Sequence, residues 1–279
     1  MSEKAFSFLD MYELPPKPRD THVIEMRGPY YYTLTHGHSR HILEDWGHLF
    51  DGYKFSGGSF RLLERQKLKQ FIDLCHEHDV YVSTGGAVES IVGQGEEAVT
   101  RYFEECKELG FDVVEISSGI AQIPLESQLN MVRKVQELGM KAKGEIALMK
   151  GAGAGVHATN YEEKIDLKPV DQYMEEAQAH LDAGAYMLMI ESEGLTEGLP
   201  PEKWRIDVIE KLIDRFGYEN LMFEAAEPEV FKWYLQNVGK DVNLFIDNSQ
   251  IVEFNCWRSG IWGDDQDLWA GGDNLEYTP

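Results

Sequence analysis

Cysteine is scarce in this sequence, and its scarcity excludes one class of protein at once. Only three cysteines occur among 279 residues, and Cys75, Cys106 and Cys256 share no spacing typical of metal ligands. An odd, widely separated set of thiols does not make a disulfide framework and is typical of a reducing compartment, so we expect a cytoplasmic protein. We interpret each cysteine as a small buried apolar residue rather than as a nucleophile.

Long apolar runs are also missing. No stretch reaches the roughly eighteen apolar residues that a membrane-spanning helix needs, so the sequence predicts no membrane partner. Residues 1–6 lack the basic-then-apolar order of a signal peptide.

Basic side chains are few as well. There are 26 Lys and Arg residues against 49 Asp and Glu residues, which gives a net charge of −23. Such a field repels nucleic acid and anionic membranes, so we expect neither as a partner. An anionic substrate would need a pocket that is locally basic or loaded with metal.

Short apolar runs that end on or next to an acidic residue are what the sequence has instead. Five of them contain Glu115, Glu145, Glu191, Glu224 and Asp247. A continuous apolar run of this length is typical of a strand buried on both faces, as in a parallel sheet. Five acidic ends predict one rim where carboxylates converge. Because like charges repel, such a rim requires a cation, a cationic ligand or a shared proton.

Between these strands the spacing of apolar residues predicts helices over 65–78, 96–109, 127–138, 171–183 and 203–216. A glycine follows four of them, namely Gly110, Gly139, Gly184 and Gly217. Glycine just past a helix is the usual left-handed C-cap, and each is soon followed by an apolar strand. The recurring order of helix, glycine and buried strand is the second half of a βαβ unit.

Further strands over 22–26, 52–55 and 80–83 bring the predicted number to eight. Eight βα units in about 250 residues are the expected size of a (β/α)₈ TIM barrel, so we assign an α/β fold. We treat residues 1–279 as one domain with a short N-terminal extension and a C-terminal tail over 263–279. A doubly wound open sheet is the alternative, although no Gly-x-Gly-x-x-Gly supports its dinucleotide-binding form. Residues 150–155 are rich in glycine and are interpreted as a mobile βα loop.

In such barrels the chemistry lies at the C-terminal ends of the strands. Lys54 ends one predicted strand and precedes a Gly-Gly pair, and Thr84 precedes another. These pairs are either an anion cradle for phosphate or carboxylate, or simple tight turns. Carboxylate oxygens at strand ends favour Mg²⁺ over Zn²⁺. Carboxylates that do not bind metal are expected to pair with Lys54, Lys143 or Arg258. Five of the nine histidines are interpreted as surface or capping groups, namely His36, His38, His41, His76 and His78.

The stretches 50–59, 81–86 and 109–117 resemble the phosphosulfolactate synthase family, with further matches at 183–191, 222–225 and 242–244. Residues 25–29, 54–58 and 247–251 resemble more closely the branch that contains the plant heat-stress-associated proteins. The resemblance implies a (β/α)₈ barrel that adds sulfite to phosphoenolpyruvate with Mg²⁺. It also implies a homo-oligomer.

Strand-end position and the resemblance together define a candidate site. The expected catalytic residues are Lys54, Glu115, Glu145 and Glu224. The expected ligands of Mg²⁺ are Glu145, Glu191 and Asp247. The residues expected to bind a small anionic carboxylate substrate are Arg27, Ser56, Gly57, Gly58, Thr84, Gly85, Gly86, Ser117, Glu193 and Asn248.

Two departures from the family pattern affect the substrate. Members that make phosphosulfolactate carry Asp-Lys-Gly near the end of the first strand, where this chain reads Tyr-Tyr-Thr-Leu-Thr-His-Gly over 31–37. They also carry an arginine where this chain has Glu193. Three functions therefore stay open. They are sulfite addition to phosphoenolpyruvate, chemistry on a non-phosphorylated or amino-bearing carboxylate, and a non-catalytic stress-related barrel.

Overall fold

A computed structural model of the protein describes residues 5–9, 12–28, 33, 35–152, 166–225 and 227–262. Eight parallel strands form a closed barrel in which each strand pairs with the next and the last pairs with the first. The predicted (β/α)₈ barrel is therefore confirmed. The strands are β1 Ile24–Arg27, β2 Gly52–Lys54, β3 Tyr81–Ser83, β4 Val113–Ile116, β5 Lys141–Ile146, β6 Met187–Ile190, β7 Leu221–Glu224 and β8 Asn243–Asp247.

Nine helices are present in the described part of the chain, and most of them lie outside the barrel between consecutive strands. They are α1 His36–Trp46, α2 Arg65–Glu77, α3 Glu89–Val92, α4 Glu96–Leu109, α5 Leu125–Glu137, α6 Val170–Asp182, α7 Ile206–Phe216, α8 Pro228–Asn237 and α9 Ile251–Arg258.

The predicted helices are confirmed, with shifted ends. The helix predicted over 65–78 ends one residue early, at Glu77. The helix predicted over 203–216 starts at Ile206, after a separate 3₁₀ turn, Pro201–Lys203. Gly110 closes α4 in the left-handed conformation with φ 95° and ψ 21°, as the C-cap pattern predicts. The first strand begins at Ile24 and not at residue 22, because His22 has φ 65° and cannot continue an extended strand.

The strands separate two kinds of side chain. Outward-facing residues such as Ile24, Val114 and Leu244 pack with the helices in one large apolar core. A second, smaller apolar cluster consists of Val23, Met187, Met189, Met222 and Phe245, with Tyr81 and Tyr186 against it. We call this second cluster the floor, because most of its members stand near the N-terminal ends of the strands.

Above the floor the barrel interior is charged. Four charged residues belong to strands of the barrel and are at most 5% exposed, namely Glu25, Lys54, Glu115 and Lys143. Branched aliphatic residues dominate most barrels of this kind. A buried charge is retained only with a partner, so the interior must contain ion pairs.

The N-terminal extension is tied to the barrel by ionic contacts. Lys17 donates to the carbonyl of Gly47 at 2.7 Å, and Arg19 forms an ion pair with Asp51 at 2.9 Å. The tail over 263–279 and most of the glycine-rich segment lie outside the described residues. Among the helices that the structure describes, none is long and apolar enough to cross a membrane. The homo-oligomer and the cytoplasmic location stay predictions.

Candidate active site

A continuous chain of ion pairs runs through the upper barrel interior. Lys54 Nζ lies 2.7 Å from Glu115 Oε1, and Lys143 Nζ lies 3.1 Å from Glu115 Oε2. Lys143 Nζ also lies 2.5 Å from Glu25 Oε2. All four side chains are almost completely shielded from solvent. We call Lys54, Glu115, Lys143 and Glu25 the ion-pair chain.

Mutual attraction keeps the upper part of this chain charged. Burial alone would raise the pKa of the Glu115 carboxyl, but the ammonium groups of Lys54 and Lys143 outweigh it and lower that pKa to about 2. Burial likewise opposes the charge on Lys54, yet the surrounding carboxylates, led by Glu115 and Glu145, raise the pKa of Lys54 above its usual value. Lys54 is therefore a fixed cation and not a nucleophilic amine.

Glu145 has the opposite character. Its Oε2 lies 3.9 Å from Lys54 Nζ, at the upper end of the ion-pair chain. Burial, followed by the repulsion of Glu115, raises the pKa of the Glu145 carboxyl well above its usual value. A carboxyl group in this setting favours its protonated form, which makes it a candidate proton donor.

A second ionic cluster lies at the ends of β6, β7 and β1. Arg27 forms an ion pair with Glu224, and the Ser192 hydroxyl donates to the other Glu224 oxygen at 3.0 Å. Burial raises and Arg27 lowers the pKa of the Glu224 carboxyl, and the net shift is downward. Burial and then Glu224 raise the pKa of neighbouring Glu191 well above its usual value. In each cluster a carboxyl of lowered pKa, Glu115 or Glu224, thus lies beside one of raised pKa, Glu145 or Glu191.

One aromatic ring joins the two clusters. Lys54 Nζ lies 4.3 Å and the Arg27 guanidinium carbon 4.9 Å from the centroid of the Phe245 ring. Cations are attracted to the face of an aromatic ring by its quadrupole. Lys54, expected to be catalytic, and Arg27, expected to bind substrate, therefore share one aromatic ring above the rest of the floor.

The Gly-Gly turns after β2 and β3 need glycine for their shape. Gly57, Gly58 and Gly85 have φ of 53°, 79° and 57°, which disfavours residues with a side chain. A Cβ on Gly85 would lie 2.1 Å from the carbonyl oxygen of Phe55, so the two turns also touch. A Cβ on Gly86 would lie 2.7 Å from Ser117 Oγ. Backbone conformation explains Gly57, Gly58 and Gly85, close packing explains Gly86, and the anion cradle stays a prediction.

Several expected substrate contacts have structural partners. The Thr84 hydroxyl accepts from the Glu115 N–H at 3.1 Å and donates to the Gly85 carbonyl at 3.0 Å. The Asn248 side chain donates to the Arg27 carbonyl at 2.9 Å. These contacts position Glu115 and Arg27, so the Thr84 hydroxyl and the Asn248 amide already have partners within the protein.

The remaining expected residues differ in exposure. Ser117 is buried and its hydroxyl has no hydrogen-bond partner among the described residues, whereas Ser56 is half-buried. Glu193 is 7% exposed and lies in the turn after β6, beside Ser192. Glu193 is thus buried within the turn that follows β6.

Sequence reasoning missed Glu25, Ser192 and the central position of Lys143. From the sequence, Lys143 is expected only as one of several possible partners for a carboxylate, yet it contacts two carboxylates. The signal was the two-residue period of a strand, since Lys143 precedes Glu145 by two and Glu25 precedes Arg27 by two. Arg258, another expected partner, is wrong for this role, because its guanidinium is buried at the His22 carbonyl, 3.2 Å away, and makes no ion pair within the described residues.

The expected Mg²⁺ ligands fit this metal in donor type. Mg²⁺ needs only one or two carboxylates, because it keeps several waters. Glu191 is a carboxyl beside other carboxyls, where a divalent cation would relieve repulsion, and Asp247 Oδ2 is buried without a hydrogen-bond partner. The other Asp247 oxygen accepts from the N–H and hydroxyl of Ser249. No group of three His, Cys, Asp or Glu side chains in the described ranges has the arrangement of a complete metal site.

The geometry thus defines a parallel α/β barrel with paired acids and two cations at the strand C-termini. Residues 12–264 match the family ComA, (2R)-phospho-3-sulfolactate synthase, and the chain belongs to that family. It is 36% identical over 273 residues to "Protein HEAT-STRESS-ASSOCIATED 32" of Arabidopsis thaliana, covering 93% of each chain.

Two further comparisons are more distant. Phosphosulfolactate synthase of Methanothermobacter thermautotrophicus is 26% identical over 231 residues, covering 81% of this chain and 85% of the relative. The crystal structure of a putative fructose-1,6-bisphosphate aldolase from Coccidioides immitis superposes with a TM-score of 0.57 at 14% identity, covering 84% and 78% of the two chains. The structural likeness shows the barrel fold alone.

Proposed function

We propose that this protein is a Mg²⁺-dependent, lyase-type enzyme that adds a nucleophile to the double bond of an enol carboxylate. Sulfite and phosphoenolpyruvate are the substrate pair that the family membership supports. The observation that carries the proposal is the pair of cations, Lys54 and Arg27, held over Phe245 beside Glu145, a carboxyl whose pKa burial and Glu115 raise.

The cations bind and orient the substrate in this proposal. Lys54 stays protonated, so it offers N–H donors to a phosphate or carboxylate oxygen. Arg27 adds a second, planar donor group, and its pairing with Glu224 fixes its direction. Glu115 holds Lys54 in place from below and is itself held by Lys143.

Addition requires one new bond and one proton. The sulfur lone pair of sulfite forms a bond to the methylene carbon, and the electron pair of the double bond moves toward the carbon that bears the carboxylate. That carbon then takes the proton of Glu145, which leaves Glu145 as a carboxylate that solvent reprotonates. Glu191 and Asp247 would hold Mg²⁺. When bound, Mg²⁺ supplies positive charge that stabilises the negative charge developing on the substrate carboxylate.

A ³¹P NMR time course with Mg²⁺, phosphoenolpyruvate and sulfite tests the reaction. We expect a new phosphate resonance with the wild-type protein and none with K54M, because methionine keeps the length of the side chain without its charge. K67M is the matched control, since Lys67 is exposed and its ion pair within the described residues is with exposed Glu64. An unchanged spectrum with the folded wild-type protein at high concentration would exclude this substrate pair.

A second candidate is a substrate that bears an ammonium group. Acidic side chains crowd the β6 and β7 ends, where the Ser192 hydroxyl oxygen lies 2.6 Å from a Glu197 oxygen and 3.0 Å from a Glu224 oxygen. Burial, then Glu197 and Glu229, raise the pKa of nearby Glu227. Such a surplus favours a cation over the second charge of a phosphate.

Thermal unfolding with two small probes separates these functions. Stabilisation by phosphoglycolate but not by β-alanine supports the phosphorylated substrate, and the reverse supports the amino-bearing one. Stabilisation by neither probe, with or without Mg²⁺, favours the non-catalytic barrel.

A further inference from the structure

A cavity of about 620 Å³ lies at the opposite end of the barrel from the candidate active site. Its walls include the starts of several strands, the residues just before β2, and Pro18 to Asp20 of the N-terminal extension. All of its lining residues belong to the described part of the chain. The volume is within the range of roughly 300–1,000 Å³ that small-molecule sites occupy.

The inner wall of this cavity is apolar and aromatic. Val23, Val113 and Met187 line it together with the rings of Tyr81 and Tyr186. Val23 and Met187 are floor residues, at most 4% exposed. An apolar base with polar groups around the opening is the usual construction of a ligand pocket.

Negative charge prevails around the opening. Five carboxylates line the cavity, and two of them already have partners, because Asp51 pairs with Arg19 and Asp112 with His76. The other three, Asp20, Asp79 and Glu219, are exposed and form no ion pair with a described residue. Lys141 is the one further cation of the lining, so its charge leaves the opening with an acidic surplus.

The position of the Lys141 ammonium group also indicates which ligand charge the aromatic wall favours. Although Lys141 is exposed, its Nζ lies 5.0 Å from the centroid of the Tyr186 ring. The chain thus places one of its own ammonium groups against a ring of this cavity. A cation–π contact of this kind is available to a ligand ammonium as well.

We propose that this cavity binds a small organic cation with an apolar, preferably aromatic, body. The body packs on Val23, Met187 and the tyrosine rings, and the cationic group lies toward Asp20, Asp79 and Glu219. Lys141 competes for the Tyr186 ring and weakens binding by repulsion. The proposal is independent of the function proposed for the other end of the barrel.

Two probes that share a phenethyl group and carry opposite charges test the preference for positive charge. Phenethylammonium and 3-phenylpropionate are titrated separately into protein labelled with ¹³C at its methionine methyl groups. The Met187 resonance is assigned with M187L. We expect phenethylammonium to shift the Met187 signal in a saturable way and 3-phenylpropionate to leave it unchanged.

Variants around the opening sharpen the test. Removing a carboxylate with D79N is expected to weaken phenethylammonium binding about two- to fivefold, the effect of one partly exposed charge pair. K141M is expected to tighten binding by a similar factor. D214N is the matched control, since it removes an exposed aspartate outside the cavity and should change nothing.

Three results would overturn the proposal. One is the absence of a saturable Met187 shift with phenethylammonium. Another is equal binding of the two probes, which would show apolar partitioning without recognition of charge. The third is binding of 3-phenylpropionate that becomes weaker in K141M. This result would make the cavity an anion site built on Lys141.

Discussion

At the strand C-termini the barrel interior is filled by ion pairs, whereas at the strand N-termini it is filled by apolar side chains. The upper region contains the ion-pair chain and Glu145, and the floor contains Val23, Phe245 and three methionines. A buried charge is stable only while its partner is present, but a buried methyl group needs no particular partner. The two regions should therefore respond differently to mutation, pH and salt.

Loss of Lys143 should have the largest effect. K143M leaves Glu25 and Glu115 buried without the ammonium that they share, so we expect the free energy of unfolding to fall by about 3–5 kcal/mol. Urea unfolding monitored by circular dichroism measures it. The double variant E25Q/K143M should recover part of the loss. A fall in stability below 1 kcal/mol for K143M would show that solvent reaches the ion-pair chain.

Acid should weaken the upper region next most strongly. The pKa of Glu115 is lowered from 4.5 to about 2 in the folded protein, so its stabilisation is complete above pH 4.5 and is lost as pH falls toward 2. A shift of this size corresponds to about 3 kcal/mol. Glu145 and Glu191, whose pKa values are raised, take up protons in this range mainly in the unfolded chain, near their ordinary value of 4.5, so they oppose the loss in its upper part and add no slope toward pH 2.

Unfolding experiments between pH 5 and pH 2 test this expectation. E115Q should show a shallower dependence of stability on pH than the wild-type protein. A slope that is unchanged in E115Q would assign the acid sensitivity to other carboxylates.

Truncation in the floor should cost less. M222A removes a fully buried side chain, and we expect a loss of about 2 kcal/mol, near the lower end for such changes because neighbouring methionines can fill part of the space. The loss should be the same at low and high salt. M222L, which keeps the volume, should stay close to wild type. A strong dependence of the M222A effect on salt would contradict the separation of the two regions.

The smallest effect is expected where the regions meet. F245L keeps the floor apolar but removes the ring that Lys54 and Arg27 share, so we expect a loss of about 1 kcal/mol. The stabilities of the wild type, F245L, K54M and the double variant form a double-mutant cycle that isolates the interaction between the ring and the Lys54 ammonium. Additive losses in that cycle would show that the ring serves only as packing.

The period of apolar residues predicted the barrel well, because strands buried on both faces and helices closed by glycine leave local patterns. Gly110 and helix Glu96–Leu109 are found as expected. Element ends were less predictable: His22 has the left-handed φ that delays β1 to Ile24. Nothing local in the sequence marks that conformation, which accompanies contacts of His22 with Tyr12 and Asp241.

By itself the sequence determined the fold class, the acidic rim and the family, since each is written in local periods and motifs. Only the tertiary structure decided which acids keep their charge. Glu115 and Glu145 look alike in the sequence, yet Glu115 lies between Lys54 and Lys143 while Glu145 lies beside Glu115 with Lys54 farther away. The energy of a buried charge depends on distances between residues that are far apart along the chain, and no local pattern contains those distances.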